Sequence, residues 1–377
     1  MRKWKQIELG DVATFYNGYP FKPTEWSTKG REIIRIQNLT KGSSQTNYYE
    51  GKLSNKYSVS KGDILISWSG SLGVYEWEKE DAWLNQHLFK VVFDKEEVDK
   101  TFFKYLIGVS LEKLETQVHG ATMKHITKKN FDAFPVNLPP LDVQQKIASI
   151  LDAADTLRQK DKALLAKYDE LTQALFLDMF GDPVSNPKGW EKKSFDEMVK
   201  FDTKMTKDFD KYGDFLHVGI GNIQKSTGKI IDCLTAKEEK LTSGKYLFDN
   251  RHIIYSKIRP NLNKVALPDF TGLCSADSYP LLPIQGISNR VFIAYILRSE
   301  CFLDFILQHS TRTNIPKANR AQMKLFIGFC PPIELQNQFA ERVAIIEQQK
   351  AQAQASLEKS EELFNSLLQK AFNGELV

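Results

Sequence analysis

Between Val143 and Phe180 the chain contains neither glycine nor proline, and the only continuous conformation such a run favours is helix. Pro139-Pro140-Leu141-Asp142 opens it. Asp142 is the expected N-cap, Gln145 completes a capping box, and Gly181 with Pro183 supplies the stop. Apolar residues recur at heptad spacing, with Ile147, Ala154, Tyr168 and Leu175 at one position and Ile150, Leu157, Leu164 and Leu171 at the other. Asp161 and Asp178 are the breaks in that seam. About 40 residues at ~1.5 Å each make a rod of roughly 60 Å, too long for a compact domain, so the seam needs a partner helix.

A second such segment opens at Pro331-Pro332-Ile333-Glu334 and closes at Phe372-Asn373-Gly374. Its seam reads Phe339, Val343, Ile346, Ala353, Leu357, Phe364, Leu367 and Ala371, with Lys350 and Ser360 as polar interruptions. Shifted by 192 positions the two segments align without a gap, matching Phe134 to Phe326, Gln144 to Gln336, Ala148 to Ala340 and Phe180 to Phe372. The regions upstream echo one another too, with Trp4 and Trp190 at their heads. This is a tandem duplication of "globular region, then long helix". The expected fold is α+β: globular regions at 1–138 and 182–330, and long helices at 139–181 and 331–377 pairing as an antiparallel coiled coil.

In the first region, Glu32 to Leu39 reads as a half-buried strand, Ile64 to Ser67 as a buried one, and Val74 to Trp77 and Leu88 to Phe93 as two more. Thr101 to Leu114 reads as helix. In the second, Asp214 to Ile223 and Asn250 to Ser256 match the first two strands, and Val291 to Leu307 matches the helix. Apolar strand positions persist between the copies while the polar loops diverge.

The net charge of +4 is unevenly spread. Residues 1–141 carry +3 and 182–333 carry +6, whereas 142–181 carry −2 and 334–377 carry −3. Positive charge therefore sits on the globular regions, as for surfaces that meet a polyanion. No apolar run approaches the ~20 residues of a membrane span. With no signal-peptide core in the first residues, the expectation is a cytoplasmic protein. Cys233, Cys274, Cys301 and Cys330 are scattered, fit neither zinc nor a disulfide framework, and read as buried reduced thiols.

Tests for chemistry fail. Asn137-Leu138-Pro139-Pro140 approaches the Asn-Pro-Pro-aromatic motif of amino-group DNA methyltransferases but has an inserted leucine and no aromatic. Gly219-Ile220-Gly221 lacks a third glycine. The histidines show no metal-ligand spacing, and there is no P-loop. No catalytic or metal residue is assigned. The loops read instead as DNA-contacting surface, since Arg and Lys reach phosphates and guanine, Asn and Gln suit adenine, and Ser and Thr serve either. The candidates are Arg35, Gln37, Asn38, Lys41, Ser43, Gln45, Asn47, Ser69, Ser71, Gln86, Thr122, Lys124 and His125 in the first region. In the second they are His217, Asn222, Gln224, Lys225, Lys257, Arg259, Asn261, Asn263, Lys264, Arg312, Thr313, Asn314, Lys317, Asn319 and Arg320. Asn38 and Asn222 equally fit turn-forming roles.

The paired Pro-Pro-Leu/Ile helix starts, Lys61-Gly62-Asp63-Ile64-Leu65-Ile66-Ser67, Asn85-Gln86 before a strand and a tryptophan heading each half resemble a specificity (S) subunit of a type I restriction–modification system. The resemblance spans essentially the whole chain. Where that family usually has Glu-Gln, this chain has Val143-Gln144 and Leu335-Gln336, and Asp249-Asn250 replaces Gly-Asp in the second half. The resemblance implies two target recognition domains, each reading half of a bipartite double-stranded DNA site, with the helix pair setting the spacer. It implies no catalysis and no cofactor on this chain. Two methyltransferase (M) subunits would bring S-adenosylmethionine, and restriction (R) subunits would bring ATP and Mg chemistry. The competing reading from another class is a two-headed protein-interaction scaffold without DNA binding; a methyltransferase or nuclease in its own right is third.

Overall fold

A computed structural model describes residues 4–40, 45–117, 126–309 and 316–377. The chain divides into two compact units, one of residues 1–162 with 355–377, the other of 163–354. Both long helices form, Leu141–Phe180 and Ile333–Asn373. Each contributes one half to each unit, and the contacts run antiparallel. In the first unit Ile147, Ala148 and Leu151 share a core with Ala371. In the second, Phe176 and Phe180 meet Phe339 edge-on at 5.6 and 5.2 Å.

The seam of the second helix follows the sequence reading, with Phe339, Val343, Ala353, Leu357, Phe364 and Ala371 buried and Ile346 and Leu367 half-buried. The first helix differs. Ile147 and Ala154 are buried, but Ile150, Leu157, Leu164 and Leu171 are 36, 45, 41 and 50% exposed. The packed row lies one residue further on, at Leu151, Arg158, Leu165 and Thr172. Both rows are helically compatible with Ile147, one at i+3 and the other at i+4. The larger apolar side chains occupy the wrong one. Partners inside the seam make its polar members tolerable. The Arg158 guanidinium pairs with Asp155 and lies 4.3 Å over the Phe364 ring. The buried Asp161 accepts from Ser356 Oγ at 3.3 Å, and Lys162 pairs with Glu361 at 2.9 Å.

Each helix start is keyed to its globular part by a buried glutamine. Gln144 Oε1 accepts from the Asp99 N–H at 2.9 Å, while Nε2 donates to Pro139 O at 2.9 Å and Glu97 O at 3.3 Å. Gln336 repeats this with the Asn289 N–H at 2.8 Å, Pro331 O at 2.7 Å and Ile287 O at 3.0 Å. In the pairs Val143-Gln144 and Leu335-Gln336 the glutamine carries the contact, while Val143 and Leu335 pack on the cores. Helix begins at Leu141, so Asp142 sits in the first turn instead of capping it, where its charge still favours the helix dipole.

The first unit holds two four-stranded sheets. One is antiparallel, in the order Thr14–Asn17, Leu88–Val92, Ile64–Ser67, Gly73–Glu76. The other runs Asn47–Tyr49, Arg31–Ile34, Ala82–Leu84, Ser58–Val59, with its central pair parallel. The second unit repeats the antiparallel sheet as Val199–Phe201, Ser278–Pro283, Ile253–Ser256, Val265–Ala266. Its other sheet runs His217–Val218, Gly272–Cys274, Lys245–Phe248, Met205–Thr206, again with one parallel pair. The shared part is three strands, and the fourth is added at opposite edges in the two copies. In each unit Lys5–Glu8 or Lys192–Ser194 pairs with the strand that precedes the long helix.

Three expected elements are cut short. Arg31–Ile34 gives way to a helical turn, Ile36–Thr40, not a strand through Leu39. The 214–223 stretch keeps only His217–Val218 as strand because Gly219 and Asn222 turn the chain. The helix expected at 291–307 is two, Arg290–Arg298 and Glu300–His309, broken where Ser299 turns extended. Of the cysteines, Cys274 and Cys330 are buried but Cys233 and Cys301 only half so, and all are free. Among the described residues no helix is long and apolar enough to cross a membrane.

The seam makes a direct stability contrast. Phe339→Ala is expected to cost about 3–5 kcal/mol as a large core deletion, whereas Leu164→Ala is expected to stay within about 0.5 kcal/mol. Urea unfolding of the two variants checks this, and equal losses would show that Leu164 packs in the seam after all.

Candidate nucleic-acid interface

A parallel strand pair delivers both of its outgoing loops to the same sheet end, and each unit has one such pair. In the second unit this end collects four polar segments. Lys257 Nζ donates to Ala276 O at 2.6 Å, tying the segment after Ile253–Ser256 to the loop after Gly272–Cys274. Lys264 Nζ donates to Ile220 O at 2.7 Å, and the Ser226 N–H to Leu262 O at 3.1 Å, which joins 219–228 to 257–264. The Arg259 N–H donates to Pro316 O at 2.9 Å, the Ala318 N–H to Lys257 O at 2.8 Å, and Ile258 bridges Lys317.

Within this surface the candidates divide. Gln224, Lys225, Arg259, Asn261 and Lys317 are exposed. Others are occupied by the fold. Asn222 Oδ1 accepts from the Gly219 N–H at 2.9 Å and its Nδ2 donates to Ile231 O and Asp232 O, so it is the turn-former. His217 is turned inward, its Nδ1 2.9 Å from Glu239 Oε2. Asn263 Nδ2 donates to Arg298 O at 2.9 Å. Asn319 caps the helix Arg320–Lys324, accepting from the Gln322 N–H. The Arg320 guanidinium lies over Phe201 and donates to Phe201 O at 3.1 Å. Burial holds the Lys264 ammonium below the usual lysine range.

In the first unit the Asn85 N–H donates to Ile34 O at 3.1 Å, so 35–38 and 85–87 leave the parallel pair together. Trp68 lies tilted against His87, with ring centroids 5.9 Å apart, and brings the 68–71 loop alongside. Gln37, Gln45, Ser71 and Gln86 are exposed there and Ser69 is half-buried. Ser67 Oγ donates to Ser71 O at 2.6 Å, as Ser256 Oγ does to Ile258 O at 3.2 Å in the other copy, so both loops are seated by the strand's last serine. Asn38 Oδ1 accepts from the Arg35 N–H at 3.0 Å and is a turn-former like Asn222. Asn47 is buried in its strand. Arg35 Nη2 donates to Gln45 O at 2.9 Å, and its guanidinium lies 5.0 Å from the ring centroid of Trp26. That tryptophan, 40% exposed, belongs to the surface but carried no signal in the sequence beyond being an aromatic in a loop. Lys41, Ser43, Thr122, Lys124, His125, Arg312, Thr313 and Asn314 lie outside the described residues.

Among the described residues no cluster of His, Cys, Asp or Glu is arranged to hold a metal ion. The arrangement offers cations, amides and hydroxyls on rigid strand ends, a chemistry suited to a polyanion with hydrogen-bonding edges.

Comparison with known proteins gives a consistent family. The model of the type I restriction modification DNA specificity domain matches residues 1–167 and again 187–359. The type I restriction enzyme EcoDI specificity subunit of Escherichia coli is 26% identical over 99% of this chain and 88% of its own length. The EcoBI specificity subunit, also from Escherichia coli, is 29% identical over 46% of this chain and 36% of its own length. Among solved structures, an S subunit of a type I restriction-modification system from M. genitalium superposes with a TM-score of 0.61 at 14% identity, covering 98% of this chain and 96% of that one. A chain from a study of type I R-M complex assembly gives 0.56, also at 14% identity, over 100 and 99%.

Asn222→Ala removes three hydrogen bonds from a turn and is expected to destabilise the protein by about 1–3 kcal/mol. Gln224→Ala, two residues away and exposed, is expected to leave stability unchanged within about 0.5 kcal/mol. Denaturant titration distinguishes the two; a neutral Asn222→Ala would return that residue to the pool of free contacts.

Proposed function

From the premise that this chain belongs to the type I restriction–modification DNA specificity family, we propose that it is the subunit that selects the target for chemistry carried out by its partners. Each repeat reads one half of a bipartite double-stranded DNA site. The observation that carries this is the repeat itself: one scaffold used twice, with the same parallel strand pair delivering loops to one sheet end and with different residues in those loops. Two readers of one ligand class with two different targets need this combination. Excess positive charge on the globular regions and negative charge on the helices fit contact through the loops alone.

The long helices set the spacer. At ~1.5 Å per residue each is about 60 Å long, against 34–36 Å for a turn of DNA. Methyltransferase subunits, two in number, dock on the chain, bring S-adenosylmethionine and methylate adenine. Restriction subunits supply ATP- and Mg-dependent translocation and cleavage. The row Ile150, Leu157, Leu164 and Leu171, apolar, heptad-spaced and exposed, supports a helical partner lying along the first long helix. The protein works beside DNA in the cytoplasm.

Removal of one heptad from each long helix is expected to shorten the preferred spacer by about three base pairs or to abolish binding; methylation of sites with the original spacer would refute the ruler. Exchange of residues 1–138 for those of another family member is expected to change one half-site, read by mapping methylated adenines, and a change in both halves would sink the assignment. Leu157→Asp with Leu164→Asp is expected to cut co-purification of the methyltransferase subunits at least tenfold with folding unchanged. Undiminished co-purification would move the docking surface elsewhere.

A further inference from the structure

The backbone at Arg259 is left-handed, with φ 51° and ψ 63°. Residues with a Cβ avoid this region, which Gly occupies freely and, of the others, Asn and Asp enter most often. Arginine there costs on the order of 1 kcal/mol, which persists only when the surrounding structure imposes it. Here it does. The Arg259 N–H donates to Pro316 O and its carbonyl accepts from the Leu262 N–H, both at 2.9 Å, and the Pro260–Leu262 turn that follows is anchored by the buried Pro260. The same turn ends on a second left-handed residue, Asn263, which is of the tolerant type and whose side chain binds Arg298 O.

The Arg259 side chain gives no such return. It is exposed and has neither an ion pair nor a hydrogen bond among the described residues. Three of the neighbouring cations are committed, Lys257 to Ala276 O, Lys264 to Ile220 O, and Arg320 to Phe201 O and Thr203 Oγ1; the exposed Lys225 and Lys317 are lysines, without a planar fork. Lys240, the other long cation on a left-handed backbone among the described residues, closes a turn in which the Leu241 N–H reaches Ala236 O. A strained, pinned position occupied by an uncommitted guanidinium is arranged for a ligand outside the fold. A phosphate needs no such fixed register, because a mobile lysine neutralises it as well; a planar fork held in place is what the O6 and N7 of guanine require.

We propose that Arg259 is a specificity-determining residue that reads a guanine in the half-site recognised by the second repeat. This rests on the DNA-specificity reading above. The experiment uses the full chain assembled with its methyltransferase subunits, as wild type, Arg259→Gly and Arg259→Lys. Glycine is at home at this φ, so the first variant keeps the turn; the second keeps the charge but loses the fork. Competition binding is measured against a panel in which every base pair of the wild-type site is permuted. The expected result is that both variants lose about tenfold discrimination at one guanine of one half-site, with the other half-site read as before. Uniform weakening across the panel by Arg259→Gly, relieved by Arg259→Lys, overturns the proposal in favour of a phosphate contact. Full discrimination by both variants, or a second half-site without guanine, overturns it outright. All three of these outcomes leave the specificity reading standing, whereas a wild-type complex with no sequence preference overturns that reading and this one together.

Discussion

Neither long helix finds its partner within its own repeat, and the rest of the structure follows from that. An amphipathic helix in a folded protein acquires most of its stability by burying one face. The first helix buries Phe176, Met179 and Phe180 among the aromatic residues of the second unit. The second buries Ala371 and packs Leu367 and Phe372 against the core of the first. Each globular core is thus closed by a helix end contributed from the other copy of the duplication. The buried glutamines Gln144 and Gln336 then fix where each helix leaves its own globular part, by bonding two backbone carbonyls and one amide apiece.

The duplication, both long helices to within a residue or two, and the buried strands were legible because each rests on a local pattern: absence of breakers, period 2, or a matched Pro-Pro start. The seam of the first helix was half legible. Hydrophobicity alone favours the row through Leu157 and Leu164, and the true row contains Arg158 and Thr172, which are stable inside only because of what faces them. Cross-helix partners are invisible to a reading of one helix. The break at Ser299 was hidden for a related reason, since no glycine or proline marks it.

The candidate surface was legible as a set of loops and not as a set of contacts. Residue type separated polar loops from core but could not separate Gln224, which faces outward, from Asn222, whose amide is used up in its turn. The same holds for Arg259 against Arg320. Both are arginines in basic loops, and only the backbone conformation and the hydrogen-bond partners tell them apart. Side chains that stabilise a loop and side chains displayed by it come from the same small vocabulary of Asn, Ser, Lys and Arg.

The first unit comprises residues 1–162 together with 355–377, while the second is one continuous stretch, 163–354. On a ribosome adding roughly 5–20 residues per second, the stretch in the middle has all its parts before the beginning does. The half that is made first is therefore finished last. Until residues 355–377 emerge, the apolar faces of Ile147, Leu151 and Phe102 lack the helix that covers them. A chain truncated there would carry a finished second unit and an open first one, a state for chaperones and proteases to recognise.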